Sequence, residues 1–386
     1  MDFSEKYQQF DKQIEENLNF KHALEMELHS NYLPFYEKAI KRLHVQPLTA
    51  SLIFGAVLFS LHVVASVFDR LYSPSKIIED FSFFLSIMNA LGLYLLFSAS
   101  YSLREFVANL VLLTKDENKR SADFFLTYYH QKFLGRQTIF FGLLFAIINM
   151  GLALLFGIEY LKDSSYWLFA TFMFQVATIG FIGGITVNGA IVVVRLINKI
   201  SVKEDIDLMY FYPDKCAGTL VVGNILFLFS MHFIAIGVLI FLFLHIFEWS
   251  NIQCVKNPNP YVFALYVFWK VFPIVLSGII FFLPVKKLNA ILKEYKIFEQ
   301  LKIRRRIDHL NRLLLSLATD DPSAKSKVET LDNYYERLIK IDKQIDQLST
   351  WPYNLQYRTS FLSVFIPVSI GIILELSKNF ISALFE

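Results

Sequence analysis

Long apolar runs alternate with polar, charged segments along this chain, and the lengths of the runs decide the first reading. A bilayer core about 30 Å thick needs roughly 20 apolar residues at the helical rise. Six stretches meet that length: residues 48–68, 81–99, 138–158, 167–196, 219–247 and 261–285. The runs are continuous rather than alternating, and isolated strands would leave backbone groups unpaired in lipid, so helices are expected. A seventh stretch, 361–385, is apolar as far as Leu374 and then carries Glu375 and Lys378. It is expected to span with both charges near the far interface. The expected fold is all-α: a polytopic transmembrane helical bundle of six or seven spans, with helical extensions outside the membrane.

The polar segments have patterns of their own. Residues 1–47 place Phe3, Tyr7, Phe10, Ile14 and Leu18 at helical spacing among charged residues. The second apolar stretch keeps its rhythm through Tyr101–Leu113 without Gly or Pro, so its helix should run past the bilayer into an extension near residues 100–137. Residues 286–357 read as a hairpin of two amphipathic helices, Lys286–Thr319 and Lys325–Ser349, split by Asp320-Asp321-Pro322. Leu301, Leu310, Leu313, Leu314 and Leu317 are its expected buried seam, facing Leu331, Leu338, Ile341, Ile345 and Leu348. Residues 358–386 form the C-terminal membrane segment, and 48–285 the six-helix bundle. No internal repeat is present, which weighs against an inverted-repeat transporter.

Composition agrees with a lipid environment: 55% of the 386 residues are hydrophobic, 18% are charged, and there are 40 Phe and 19 Tyr. Charge then sets the orientation. Of 37 Lys and Arg, 31 fall in residues 1–47, the 104–136 loop, the 195–215 loop and residues 286–358. These are alternate connections, so the positive-inside rule places all four, and the N-terminus, in the cytoplasm. Residues 1–45 carry no basic-apolar-small succession, so no cleavable signal is expected. The expected location is the inner (plasma) membrane. Cys216 and Cys254 fall on opposite sides in this topology, which excludes a disulfide framework.

Candidate chemistry is sparse. No metal-spaced His/Glu pair, no Gly-x-Ser-x-Gly and no phosphate-cradling Gly-rich loop with Lys occurs, so neither enzymatic activity nor a cofactor is expected. Lys270 lies inside the sixth stretch, where a lysine near mid-bilayer costs about 2.5–3.5 kcal/mol. It faces a pore or partner, or snorkels outward. Asn89, Asn149, Gln175, Asn188 and Asn224 put five amides in the bundle, and amides in membrane helices mostly bond neighbouring helices. Gly180, Gly183, Gly184 and Gly189 strip the fourth stretch of side chains, which suits either close helix packing or a pore-lining hinge. Pro273 and Pro284 permit kinks in the sixth. The densest basic patch is Lys302-Ile303-Arg304-Arg305-Arg306, with His309 and Arg312 one and two turns on. Positive-inside statistics, lipid headgroups and a phosphate-bearing ligand are its three readings. Arg304 lies about 30 Å along the helix from the bilayer exit, which favours the ligand over the headgroup.

Two loop motifs carry a resemblance. Pro213-Asp214-Lys215-Cys216-Ala217-Gly218-Thr219-Leu220 precedes the fifth stretch, and Trp351-Pro352-Tyr353-Asn354 precedes the seventh. Together they resemble a set of uncharacterised prokaryotic multi-pass membrane proteins with a PDxxGG-L loop and a TWPF(D) loop at these places. Ala217 stands where that pattern has its first Gly, and Tyr353-Asn354 replace Phe-Asp. The resemblance covers the C-terminal half and implies a bacterial or archaeal source, but no activity. Residue by residue, Asp214 is a candidate cap for the fifth helix, and Trp351 and Tyr353 suit an interfacial aromatic belt. The overall plan is also similar to the Hailong-type antiviral membrane effectors, in which a nucleotide messenger opens an oligomeric channel and depolarises the cell. Insect odorant receptors share the length and the seven helices, but their Tyr-centred terminal-helix signature is absent.

The sequence thus leads to an oligomeric channel in the lipid bilayer, gated by a cytoplasmic nucleotide or oligonucleotide messenger, with no duplex nucleic acid as partner. Lys302, Arg304, Arg305, Arg306, His309 and Arg312 are its candidate ligand-binding residues. Gly180, Gly183, Gly184, Asn188, Lys270 and Pro273 are its candidate pore or gate residues. The alternatives are a secondary transporter of a small solute, with a site among Asn149, Gln175, Asn188 and Lys270, and a non-transporting scaffold that docks a partner.

Overall fold

The computed structural model describes residues 26–28, 30, 32–72, 78–113, 119–161, 165–199, 208, 214–249, 260–316, 322–352, 359–360, 362–367, 370–371 and 374. Among them regular structure is helical throughout, and no strand occurs. A short helix, α1 (Phe35–Arg42), leads into α2 (Pro47–Tyr72) and α3 (Ile78–Leu112). Helix α4 (Lys119–Tyr129) passes through a π-helical turn at His130–Leu134 into α5 (Arg136–Leu161). Then come α6 (Tyr166–Lys199), α7 (Leu220–Trp249), α8 (Pro260–Ser316) and α9 (Pro322–Asp346). Among the described residues six segments are long and apolar enough to cross a membrane: Pro47–Asp69, Phe83–Val111, Phe124–Leu154, Tyr166–Lys199, Leu220–Leu239 and a stretch within Val271–Ser316.

The amphipathic N-terminal residues Phe3 to Leu18 lie outside the described residues. Most of the seventh stretch does too, although residues 362–367 are helical and Leu362, Val364 and Phe365 pack against the core. Helix α3, at 35 residues, runs to Leu112 as its unbroken rhythm predicts.

Residue pairings fix the register. Gly55 of α2 lies against Ala90 of α3, Gly184 of α6 against Phe141 of α5, and Ser277 Oγ of α8 donates to the Ser230 carbonyl of α7 at 2.9 Å. Each of these neighbours is antiparallel, as a bundle of successive spans requires. Helices α3 and α6 run parallel, with Gly92 against Ile179 and Leu103 against Gly189. The main core is built by α3, α6, α7 and α8, where Val107, Leu196, Val222, Leu226 and Ile280 are inaccessible. Helices α2 and α5 flank it and leave Leu52, Val57, Leu61, Phe140, Leu143 and Ile147 exposed, the side chains expected on a lipid face. Arg104, Lys132, Arg136, Lys199, Lys215 and Lys286 gather at one end of the bundle, its basic end.

Helix α8 is the longest element. Its 57 residues measure about 85 Å, nearly three bilayer cores, so it leaves the bundle at the basic end and continues well beyond it. There α9 folds back on it around a small core of Ile303, Leu310, Leu338, Ile345 and Leu348, with Tyr295, Ile307, Leu331, Tyr335 and Ile341 at its edge. The hairpin expected from the sequence is therefore present. Its seam is the expected one on α9 and at Leu310, but not at Leu301, 52% exposed, or Leu313, 38% exposed. The buried or half-buried positions Tyr295, Glu299, Ile303, Ile307 and Leu310 step by three or four residues, one continuous face, whereas Leu301 and Leu313 project away from α9.

Candidate functional site

The hairpin does not hang from α8 alone. Its far end returns to the bundle and meets the loop that leads into α7. In that loop Lys215, Ala217 and Gly218 all have positive φ, at 54°, 53° and 91°. For Lys215 and Ala217 this is an unfavourable backbone state, of order 1–2 kcal/mol each. The Asp214 carboxylate holds it: Oδ1 accepts from Cys216 N at 2.8 Å and Gly218 N at 3.1 Å, and Oδ2 from Gly218 N at 3.1 Å and Leu220 N at 3.2 Å. The capping role expected for Asp214 is thus observed, and it satisfies amides at the head of α7 that the helix itself cannot.

Onto this loop docks the Ser349–Pro352 segment that follows α9. Ser349 N donates to Lys215 O at 2.8 Å, and Cys216 Sγ contacts Trp351 O at 3.4 Å. The Pro352 carbonyl sits so close to Gly223 that a Cβ there would lie 1.5 Å from its oxygen. The two sequence motifs, more than a hundred residues apart, are therefore the two halves of one contact. Helix α8 secures it from the side: Asn289 Nδ2 donates to Thr350 O at 2.7 Å, Gln300 Nε2 to Asp346 Oδ1 at 3.1 Å, and Lys296 Nζ to the Asp346 carbonyl and, at 3.4 Å, to Leu348 O. Burial, with the Asp214 carboxylate adding to it, pushes the Cys216 thiol up to about 11, so it is a packed group and not a reactive thiolate.

The candidate ligand residues lie further out on α8. Lys302, Arg304, Arg305, Arg306, His309 and Arg312 are all exposed. Arg304 Nε reaches Asp342 Oδ1 of α9 at 3.5 Å, and Lys302 Nζ reaches Glu299 Oε1 at 3.5 Å. They form a basic surface along the hairpin rather than the lining of a cleft.

The candidate gate residues separate. Gly180 and Gly184 are where α6 meets α5: an added Cβ would lie 2.7 Å from Phe145 O and 2.2 Å from Phe141 O. Both serve close packing. A Cβ at Gly183 meets nothing within 4 Å. Asn188 is inaccessible, and its whole amide is used at the π-helical turn. Its Nδ2 donates to Lys132 O at 2.8 Å and Thr138 Oγ1 at 2.9 Å, while Oδ1 accepts from Gln137 Nε2 at 3.2 Å. A π-helical turn frees carbonyls from the regular ladder, and Asn188 satisfies one of them. Pro273 is buried beside Gly237 of α7. The Lys270 side chain lies outside the described residues.

No protein-family model, curated protein or solved structure matches the chain.

The structure adds one assembly that sequence reasoning passed over. Arg104, on the long α3, donates to Glu37 of α1 at 2.8 Å, with Arg104 4% and Glu37 8% exposed. Beside it Tyr36 OH and Ser100 Oγ share a hydrogen bond, and Tyr129 OH contacts Tyr32 O at 3.4 Å. Burial pushes the Glu37 carboxyl above the usual carboxylate range, and the Arg104 guanidinium pulls it back. This pair ties the segment before the first span to the basic end of α3. The only sequence signal for it was an arginine on the apolar side of the 101–113 rhythm.

Proposed function

We propose that the chain is one subunit of an oligomeric membrane channel, opened from the cytoplasmic side through the α8–α9 hairpin. The observation that carries this reading is α8 itself, one helix that belongs both to the membrane core and to the basic surface. A ligand that moves the hairpin moves a membrane helix directly, as a rigid-body device requires. The docked Ser349–Pro352 segment gives the same movement a second route, into the head of α7. The positive-inside rule makes the basic end the cytoplasmic one. On this reading Arg304, Arg305, Arg306 and Arg312, with Lys302 and His309, receive a phosphate-bearing messenger of nucleotide type, and opening would serve antiviral defence by depolarisation. The exposed apolar face of the hairpin, with Ile297 58%, Phe298 61% and Leu301 52% exposed, supports assembly. It lies beyond the Lys286-Lys287 membrane exit, flanked by Glu294, Arg305 and Asp308, and is suited to a second copy of the hairpin.

The test is purification in detergent, mass measurement, then reconstitution into planar bilayers with a panel of nucleoside triphosphates and cyclic dinucleotides. A ring of three or more subunits should pass ohmic current with one of these ligands. The triple variant Arg304→Gln, Arg305→Gln, Arg306→Gln should assemble normally and stay silent. A monomer or dimer with no current under any ligand overturns the proposal.

A further inference from the structure

In the half of the bundle away from the basic end, α2, α3 and α6 enclose two amides. Asn89 of α3 is 0% exposed and Gln175 of α6 1%. Their nitrogens are fully committed. Asn89 Nδ2 donates to Leu85 O at 2.9 Å and across to Gln175 O at 3.2 Å. Gln175 Nε2 donates to Leu58 O of α2 at 3.1 Å and Ser86 Oγ of α3 at 3.2 Å. These bonds fix both amide orientations, because turning either group over would set its oxygen against a backbone carbonyl. Asn89 Oδ1 and Gln175 Oε1 are left buried and, among the described residues, without a hydrogen-bond partner.

Two bare acceptors in the apolar interior are costly unless something with positive character meets them. We infer that Asn89 Oδ1 and Gln175 Oε1 are ligands of a monovalent cation held between α2, α3 and α6. Ser86 is one turn from Asn89 on the same face of α3, and it already touches the Gln175 amide. The donors are neutral oxygens, and no carboxylate takes part in the hydrogen bonds that define the cluster. That composition suits Na⁺ or K⁺ and not Mg²⁺ or Ca²⁺, whose protein sites are built on carboxylates. On the α2 side, His62 and Ser66 follow Leu58 toward Asp69, with Ser66 Oγ 3.3 Å from His62 Nε2. His62, Ser66 and Asp69 are all buried, and they mark a polar edge from the amides to the end of the helix. The inference is independent of how the hairpin works, since it concerns the opposite half of the bundle.

A buried water could donate to the same oxygens, so the test must separate ion from water. The full-length protein is purified in dodecylmaltoside with N-methylglucamine chloride and titrated with NaCl, KCl or LiCl at constant ionic strength. Thermal unfolding and equilibrium ²²Na⁺ binding are measured. One alkali cation should raise the unfolding midpoint saturably, and Asn89→Leu should abolish that rise. Should Asn89→Leu fail to fold, equilibrium ²²Na⁺ binding to the wild-type protein decides, with KCl and LiCl as competitors. Identical midpoints in all four salts for the wild type, with no saturable ²²Na⁺ binding, would overturn the cation and leave a water in its place.

Discussion

Gly223→Ala is the sharpest probe of the contact between the two motif loops. The new Cβ would lie 1.5 Å from the Pro352 carbonyl oxygen, whereas ordinary contact begins near 3.4 Å, so the two backbones must part by about 2 Å. Neither side is the end of a flexible side chain that swings away. A displacement of that size takes the Ser349 N to Lys215 O bond from 2.8 Å to well beyond hydrogen-bonding range, and the 3.4 Å Cys216–Trp351 contact with it. Two lost bonds at about 1 kcal/mol each, or overpacking at about 1–3 kcal/mol if the backbones resist, put the local cost near 2–3 kcal/mol. Every 1.4 kcal/mol is tenfold in an opening equilibrium, so the Ser349 amide should exchange its hydrogen at least about 30-fold faster. Hydrogen exchange with mass spectrometry on the reconstituted protein reads this directly. The Cys216 amide, held by Asp214 within its own loop, is the internal control and should change little. Unchanged protection at Ser349 would refute the docking, and with it the second route by which the hairpin reaches the membrane.

Three further expectations follow from contacts elsewhere. Gly184→Ala should lose about 1–3 kcal/mol by forcing α5 and α6 apart, while Gly183→Ala should be silent; equal thermal shifts in the two variants would remove Gly184 from the packing. Ala217→Gly should raise stability by about 0.5–1 kcal/mol, because Ala217 holds φ at 53° and glycine does so without steric cost; a lower unfolding midpoint would contradict this. Arg104→Met strands the buried Glu37 carboxylate and should cost about 3–5 kcal/mol at neutral pH. Glu37 then holds its proton more tightly folded than unfolded, so its contribution is complete at low pH and is lost as pH rises through the folded value. The Arg104→Met midpoint should therefore climb on acidification from pH 7.5 to 5.5, and adding Glu37→Gln should abolish that climb. The same slope with and without Glu37→Gln would disprove the assignment.

What could be read without the structure was set by local physics. Span lengths, the overlong α3 and the Asp214 cap each depend on a window of neighbouring residues, and each is found where the sequence puts it. The hairpin itself was legible, and so was its α9 face, with Leu310 opposite. On α8 leucine count also favoured Leu301 and Leu313, whereas the partner helix selects Ile303 and Ile307, a choice of rotation that no single helix encodes. The amides were visible as polar residues in apolar runs, and their default reading as interhelical glue describes Asn188 well. Only packing distinguishes Asn188, whose oxygen and nitrogen are both satisfied, from Asn89 and Gln175, whose oxygens are not.

Sequence by itself therefore determined that this chain is a multi-pass helical membrane protein with a charged helical hairpin, because hydropathy and charge act residue by residue against a solvent of fixed thickness. Tertiary structure alone decided that the loops around Asp214 and Trp351 are one contact, that Arg104 finds Glu37, and that Gly180 and Gly184 are spacers between α5 and α6. Each of those depends on which helix faces which, a relation set by the mutual fit of distant surfaces, and such fit leaves no periodic trace in any one segment.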